Sequence, residues 1–316
     1  MKKFLKISGI LLLSILLLAS IIGLYINWKG IPSYEVKAPD IQVEIDSTRL
    51  ARGEKLVSLV CAGCHRGKNG KLVGKHLSDI PDLFGEIWSP NITNHPTNGL
   101  GKYTDGELIY LLRTGIKRDG QYTPPYMAKL PHMSDEDIYS IVAFLRSNAP
   151  MVAADEQVQP TSKPSFFVKL LSHLAFKPLP FPEEEIIAPP ITDKVAYGRY
   201  LAVGVADCYG CHSADFTTLN VMEPEQSEGY FGGGNALLDE EGNTILSSNL
   251  TPHQTGLANW TEEEFIQCVK NGIRPNKTMV SMAMPKHTML SDEEVSAIWA
   301  YLKTLPEIDN FVLSND

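Results

Sequence analysis

The sequence predicts an all-α chain made of two tandem copies of one helical unit behind an N-terminal membrane-spanning helix. Three observations carry this. A 20-residue apolar run from Ile7 to Ile26 follows Lys2, Lys3 and Lys6. The rest of the chain repeats itself at an offset near 150 residues. Within each copy apolar residues recur at helical spacing, and few runs show the period of two that marks a strand. A length of 316 residues leaves room for two such domains.

At about 1.5 Å per residue the apolar run spans a hydrocarbon core of ~30 Å. The lysines before it stay in the cytoplasm, which puts the chain after Trp28 outside. Tyr25 and Trp28 suit the outer interface. No small-x-small site clearly follows, and the run is longer than a usual signal core. Residues 1–28 are therefore read as an uncleaved anchor in preference to a cleaved signal peptide, with 29–46 as a linker.

The repeat sets the domains at 47–155 and 191–311. Cys61-Ala-Gly-Cys64-His65 recurs as Cys208-Tyr-Gly-Cys211-His212. Asn91-Ile-Thr recurs as Asn249-Leu-Thr, Tyr103-Thr-Asp-Gly-Glu as Trp260-Thr-Glu-Glu-Glu, and Ser134-Asp-Glu-Asp-Ile as Ser291-Asp-Glu-Glu-Val. The offset is 147 at the cysteines and 157 or 158 later, so a loop or short hairpin of about ten residues is inserted between His212 and Asn249. Helices are expected over 48–60 and 193–205, over 105–114 and 262–270, and after capping boxes at Ser134 and Ser291. Residues 156–190 form a Pro-rich linker, with seven prolines from Pro160 to Pro190. Inside it Phe166 to Phe176 reads as a short amphipathic helix, packed on a domain in preference to resting on a membrane or partner.

The net charge is -9. Setting aside the three anchor lysines leaves 25 basic and 37 acidic residues, a net charge of -12. This excludes a general nucleic-acid binder, which needs a basic face. An acidic exported domain suits a basic patch on a partner, or plain solubility. Five cysteines are too few for a disulfide scaffold of this length.

Four of those five lie in the two C-x-x-C-H motifs. Two thiols can add across the vinyl groups of haem, and the adjacent His then reaches the iron. A thioredoxin-like pair would want a βαβ context, while a zinc site or an internal disulfide leaves both histidines unexplained. Cys61, Cys64, Cys208 and Cys211 are thus predicted to bind two covalent haem c groups, with His65 and His212 on the irons. Export agrees, since bacteria attach this haem outside the cytoplasmic membrane. For the sixth ligands the repeat selects Met127 and Met284, each six residues before the residue that precedes a capping serine, both in Pro-containing loops. Rivals are Met133 and His132 at the first site, Met282 and His287 at the second; Met133 aligns with Leu290 and reads as core. His76, His95 and His253 read as surface or hydrogen-bonding residues. Cys268 aligns with Leu111 on an apolar stripe and reads as a free buried thiol.

These residues resemble the class I cytochrome c family, in duplicate: Cys61, Cys64, His65 and Met127, then Cys208, Cys211, His212 and Met284. Gly53 with Phe144, and Gly198 with Tyr301, resemble that family's contact between first and last helices. The Asn-Ile/Leu-Thr and Tyr/Trp segments are similar to the cytochrome c subunits of membrane-bound alcohol and gluconate dehydrogenases. Those subunits typically carry three haem motifs and this chain carries two. The resemblance implies an electron carrier, or the electron-transfer subunit of an oxidoreductase, on the periplasmic side of a bacterial membrane. It would pass electrons from a respiratory dehydrogenase or quinol-oxidising complex to an oxidase or soluble cytochrome. The alternative is a di-haem peroxidase, which needs one exchangeable iron site and unlike halves. A redox or gas sensor would usually bring a signalling domain.

Overall fold

A computed structural model describes residues 2–239 and 241–310; Met1 and residue 311, the expected ends of the anchor and of the second domain, lie outside the described residues. Helix α1 (Lys2–Lys29) runs unbroken for 28 residues, of which only Ile26 is buried. It is long and apolar enough to cross a membrane. Residues 30–46 are not loose. Tyr34 N donates to Gly120 O and Tyr122 N to Pro32 O. Val43 N donates to Asp105 Oδ2 at 3.0 Å.

Helix α2 (Ser47–Val60) starts where the Asp46 carboxylate accepts from Thr48 N and Arg49 N. One helical turn, α3 (Ala62–His65), follows it. After strand β1 (Gly85–Glu86) come α4 (Asp105–Thr114) and α5 (Asp135–Leu145). Thr104 and Glu107 close a capping box at the start of α4, and Gly115 ends it at φ 80°. Helix α2 crosses α5 where Gly53 meets the Ser140 carbonyl and Phe144. Leu56, Val57, Ile138, Ile141 and Val142 are sealed around that crossing.

Strand β2 (Lys163–Pro164) pairs antiparallel with β1, in register Gly85 to Pro164. Helix α6 (Phe166–Leu174) comes next. The remaining linker is extended and lies along the first half. Leu179 N donates to Thr114 O. Phe181 stacks on Tyr110 at 5.7 Å. Asp135 N donates to Ile186 O.

The second half repeats the order. Helix α7 (Lys194–Arg199) leads into α8 (Cys208–His212), then strands β3 (Ala236–Leu238) and β4 (Thr244–Leu246), then α9 (Glu262–Asn271) and α10 (Asp292–Leu302). Gly198 of α7 lies under the Ala297 carbonyl of α10, as Gly53 lies under Ser140. Strands β3 and β4 form an antiparallel hairpin within the expected insertion.

Three details differ from the sequence expectation. Helices carry the fold, but two short antiparallel ribbons accompany them, an addition to an all-helical plan. The helix expected to reach residue 205 becomes π-helical from Tyr200 to Val205. Gly53 is eight residues from Cys61, whereas Gly198 is ten from Cys208. A wider helix holds more residues per turn and so takes up part of the extra length. The capping box at Ser134 is only half made: Ser134 Oγ accepts from Asp137 N, but the Asp137 carboxylate is engaged elsewhere.

That carboxylate belongs to the contact between the halves. Arg52 grips Asp137 through Nε and Nη2 at 2.7 and 2.6 Å. Arg52 Nη1 also reaches Glu294 at 3.3 Å, and Lys55 pairs with the same carboxylate. Tyr200 donates its hydroxyl to Asp137 Oδ2 at 2.5 Å. Asp137 and Glu294 are both nearly buried, so their pairing offsets a large desolvation cost.

A methyl group at Gly53 or Gly198 would collide with a backbone carbonyl that cannot swing away. Gly53→Ala and Gly198→Ala are each expected to lower stability by about 1–3 kcal/mol or more. Denaturant unfolding followed by circular dichroism reads this; unchanged midpoints would show that the helices can part at no cost.

Candidate functional site

Both C-x-x-C-H motifs occupy single helical turns directly after the first helix of each half. In the first, Cys64 N and His65 N donate to Cys61 O at 3.2 and 2.9 Å, curling the thiols and imidazole onto one turn. All four motif cysteines are unbridged and part-exposed. Burial, helped by Cys64, pushes the Cys61 thiol up to about 12, and burial with Asp207 does the same at Cys208. Burial pushes Cys211 up to about 11. Thiols held protonated are unlike the low-pKa pairs of redox exchange. Among the described residues, no group of three or more His, Cys, Asp or Glu is placed to hold a metal ion by itself.

The histidines are oriented identically. His65 Nδ1 donates to Pro90 O at 2.9 Å, and His212 Nδ1 to Ser248 O at 2.8 Å. A carbonyl can only accept, so the proton sits on Nδ1 and the lone pair is on Nε2. Burial lowers the pKa of both rings, which favours the neutral form that binds iron. Gly74 N and Gly233 N hold the His65 and His212 carbonyls, each at 2.8 Å.

Pro90 and Ser248 escaped the sequence reading, because an accepting carbonyl has no side-chain signature. The available signal was their place just before the repeated Asn-Ile/Leu-Thr. Those asparagines brace the loop. Asn91 Oδ1 accepts from Thr93 N and Oγ1 at 2.8 and 2.7 Å, and Asn249 Oδ1 from Thr251 N and Oγ1 at 2.9 and 2.7 Å. Their amides reach the chain leaving the last helix, Asn91 to Asp155 O and Gln157 O, Asn249 to Ile308 O.

Met127 and Met284 also sit in matching turns. Met127 N donates to Pro124 O at 3.1 Å and Met284 N to Ser281 O at 3.0 Å; both side chains are half-buried. Three residues on, Leu130 N donates to Leu112 O and His287 N to Val269 O, tethering each turn to α4 or α9. Of the rivals, Met133 is fully buried in the core and Met282 is 78% exposed. His132 Nε2 meets Val221 O at 2.7 Å, across the contact between halves. His76 packs tilted against Trp88, while His95 Nδ1 accepts from Asn98 N. Cys268 is half-buried and unbridged. In each half two thiols and a neutral, oriented imidazole share one turn, chemistry that fits covalent haem.

Residues 50–149 match the Cytochrome c family, and a domain of that family implies covalent haem c. Similarity to curated proteins extends further along the chain. It is 29% identical over 277 residues to the cytochrome c subunit of the quinone-dependent alcohol dehydrogenase of Gluconobacter oxydans, covering 84% of this chain and 56% of that one. It is 28% identical over 291 residues to the gluconate 2-dehydrogenase cytochrome c subunit of Pantoea cypripedii, covering 87% and 63%. It is 27% identical over 271 residues to a diheme cytochrome c-type protein of Cereibacter sphaeroides, covering 82% and 86%. The chain thus spans somewhat over half the length of the alcohol dehydrogenase subunits it matches.

His287 stands where the first half has Leu130. Burial, with His212 nearby adding to it, holds its pKa below the ordinary value of 6.5. As pH falls, the unfolded chain takes up this proton first, so stability is lost below about pH 6.5 and unaffected above it. His287→Leu is expected to shrink the acid-side fall in the denaturant midpoint between about pH 6.5 and 5. An equal fall in both proteins would show that the ring titrates as freely as in the unfolded chain.

Proposed function

We propose that the protein is a membrane-anchored di-haem c-type cytochrome, an electron relay of two tandem class I domains, 47–155 and 191–311. The observation that carries this is the recurrence of one donor arrangement at the repeat offset: thiol pair, Nδ1-anchored histidine and tethered methionine turn. Cys61 and Cys64 would hold the first haem and Cys208 and Cys211 the second. His65 with Met127, and His212 with Met284, would be the axial ligands. Such a group, when bound, supplies a one-electron iron couple.

The chain's own part is positional. Pro90 O and Ser248 O point each Nε2, and a carbonyl acceptor on Nδ1 strengthens the imidazole as a donor. The tethered turns present both thioethers alike, which gives no support to the unlike halves of a peroxidase. Arg52, Lys55, Asp137 and Glu294 hold the halves in one fixed relation, which suits transfer between two centres without domain movement.

Helix α1 supports anchoring through residues 1–28 in a bacterial cytoplasmic membrane, with both domains on the periplasmic side. The dehydrogenase names of several relatives support a respiratory partner. Electrons would enter from a dehydrogenase or quinol-oxidising complex and leave to an oxidase or soluble cytochrome. The acidic surface suits a basic docking face on either partner.

Mass and haem-stain analysis of the full-length protein are expected to show two haems. Replacing either cysteine pair by alanine should remove one haem, and replacing both should remove both. Met284→His should lower one of two midpoint potentials by on the order of 100 mV, within the ~0.8 V that axial ligand choice spans. The other should stay in place. A single haem, or potentials unmoved by Met284→His, would overturn the assignment.

A further inference from the structure

Helix α6 packs on the first half around Phe84, as expected, and also lies against the outer end of α1. Its contacts advance in step with that helix. Phe166 approaches Gly23, the ring 3.7 Å from where a methyl on Gly23 would sit. Lys169 Nζ donates to Asn27 Oδ1 at 2.9 Å. His173 Nε2 meets Gly30 O at 3.0 Å. The two helices therefore run side by side in the same direction, and the start of α6 is its end nearest the apolar run. Gly23 lies three residues inside Ile26, about 4.5 Å along the axis.

The loop of the first half is fastened to that same end. Ser165, the cap of α6, donates Oγ to Leu83 O at 2.6 Å and N to Phe84 O at 2.9 Å. Phe84 packs edge-on against Phe167 at 6.3 Å. The β1–β2 pairing locks this junction, since Gly85 at φ 98° lies against the Lys163 carbonyl, where a side chain has no room. Leu83 is 59% exposed, Phe166 45% and Phe167 37%. Three large apolar side chains are thus presented to solvent by a braced junction level with the last turns of the apolar helix. Polar neighbours, Asp82 and the Lys163–Glu86 pair, limit how deep this surface can go.

We propose that Leu83, Phe166 and Phe167 form a foot that dips into the outer phospholipid interface and seats the first half on the bilayer. The occupant is lipid because the surface is continuous with α1, and α1 in a membrane brings Phe166 to interfacial depth. The inference rests on the reading of α1 as an anchor. Aromatic and aliphatic side chains at this level gain from leaving water, as interfacial anchors do. The foot adds a second hold on the bilayer beside α1, with one half close to the surface.

The test places a photoreactive benzoylphenylalanine at position 83, 15 or 238, one at a time, in the full-length protein reconstituted in phosphatidylcholine vesicles. Lipid adducts are expected at 15 and at 83, and are expected to be lost at 238 on the β3–β4 hairpin. Adducts at 15 with none at 83, or cross-linking of 83 to a second copy, would overturn the foot and leave the anchor standing. No lipid adduct at 15 would remove the anchor and the foot with it.

Discussion

The architecture depends on how closely the first helix of each half can approach the last. At Gly53 and Gly198 the missing side chain lets one backbone rest on a carbonyl of the other, Ser140 or Ala297. Close-packed interiors transmit such a distance to everything built on it. The C-x-x-C-H turn starts at the end of the first helix, so this crossing sets where the thiols and imidazole emerge. The last helix sends its departing chain back to Asn91 or Asn249, which brace the loop that orients the histidine. Cysteine turn and histidine acceptor are thereby referred to a single packed pair of helices, while the methionine turn is tethered to α4 or α9.

The contact between the halves shows why a duplicated sequence cannot stay identical. Asp137 and Glu294 occupy equivalent positions, and both face the junction. Identical partners would bring cations from both first helices onto them. Instead Arg52 and Lys55 are matched, 145 residues on, by Tyr197 and Tyr200. The Tyr200 hydroxyl then donates to a carboxylate that Arg52 already neutralises. Buried carboxylates need both charge and hydrogen bonds, and this division supplies them without surplus buried charge. The same divergence cost Asp137 its place in a complete capping box, which Glu294 retains because its carboxylate can also reach Ser291 N.

Much of the candidate site was legible. The cysteines and histidines are adjacent in sequence, and the repeat offset names Met127 and Met284 as candidates among nine methionines. Two helix starts were legible too: Ser134 and Ser291 each cap the helix that follows. The carbonyls of Pro90 and Ser248 were not, because any residue can supply a carbonyl and only the fold aims it. Nor was the partner of α6, since an amphipathic stripe declares that a face must be covered without naming what covers it.

By itself, then, the sequence determined the local chemistry and its periodicity: the apolar run, the two thiol pairs each followed by histidine, the caps at Ser134 and Ser291, the repeated loop residues and the place of the insertion. These rest on neighbours in the chain, so spacing is enough to read them. Only the tertiary structure decided what depends on residues far apart: the histidine tautomers, the π-helical turn of 200–205, the ionic seam between the halves and the docking of α6 beside α1. Each is a competition among distant groups for one carboxylate, one carbonyl or one surface. Packing settles such a competition, and linear spacing carries no record of it.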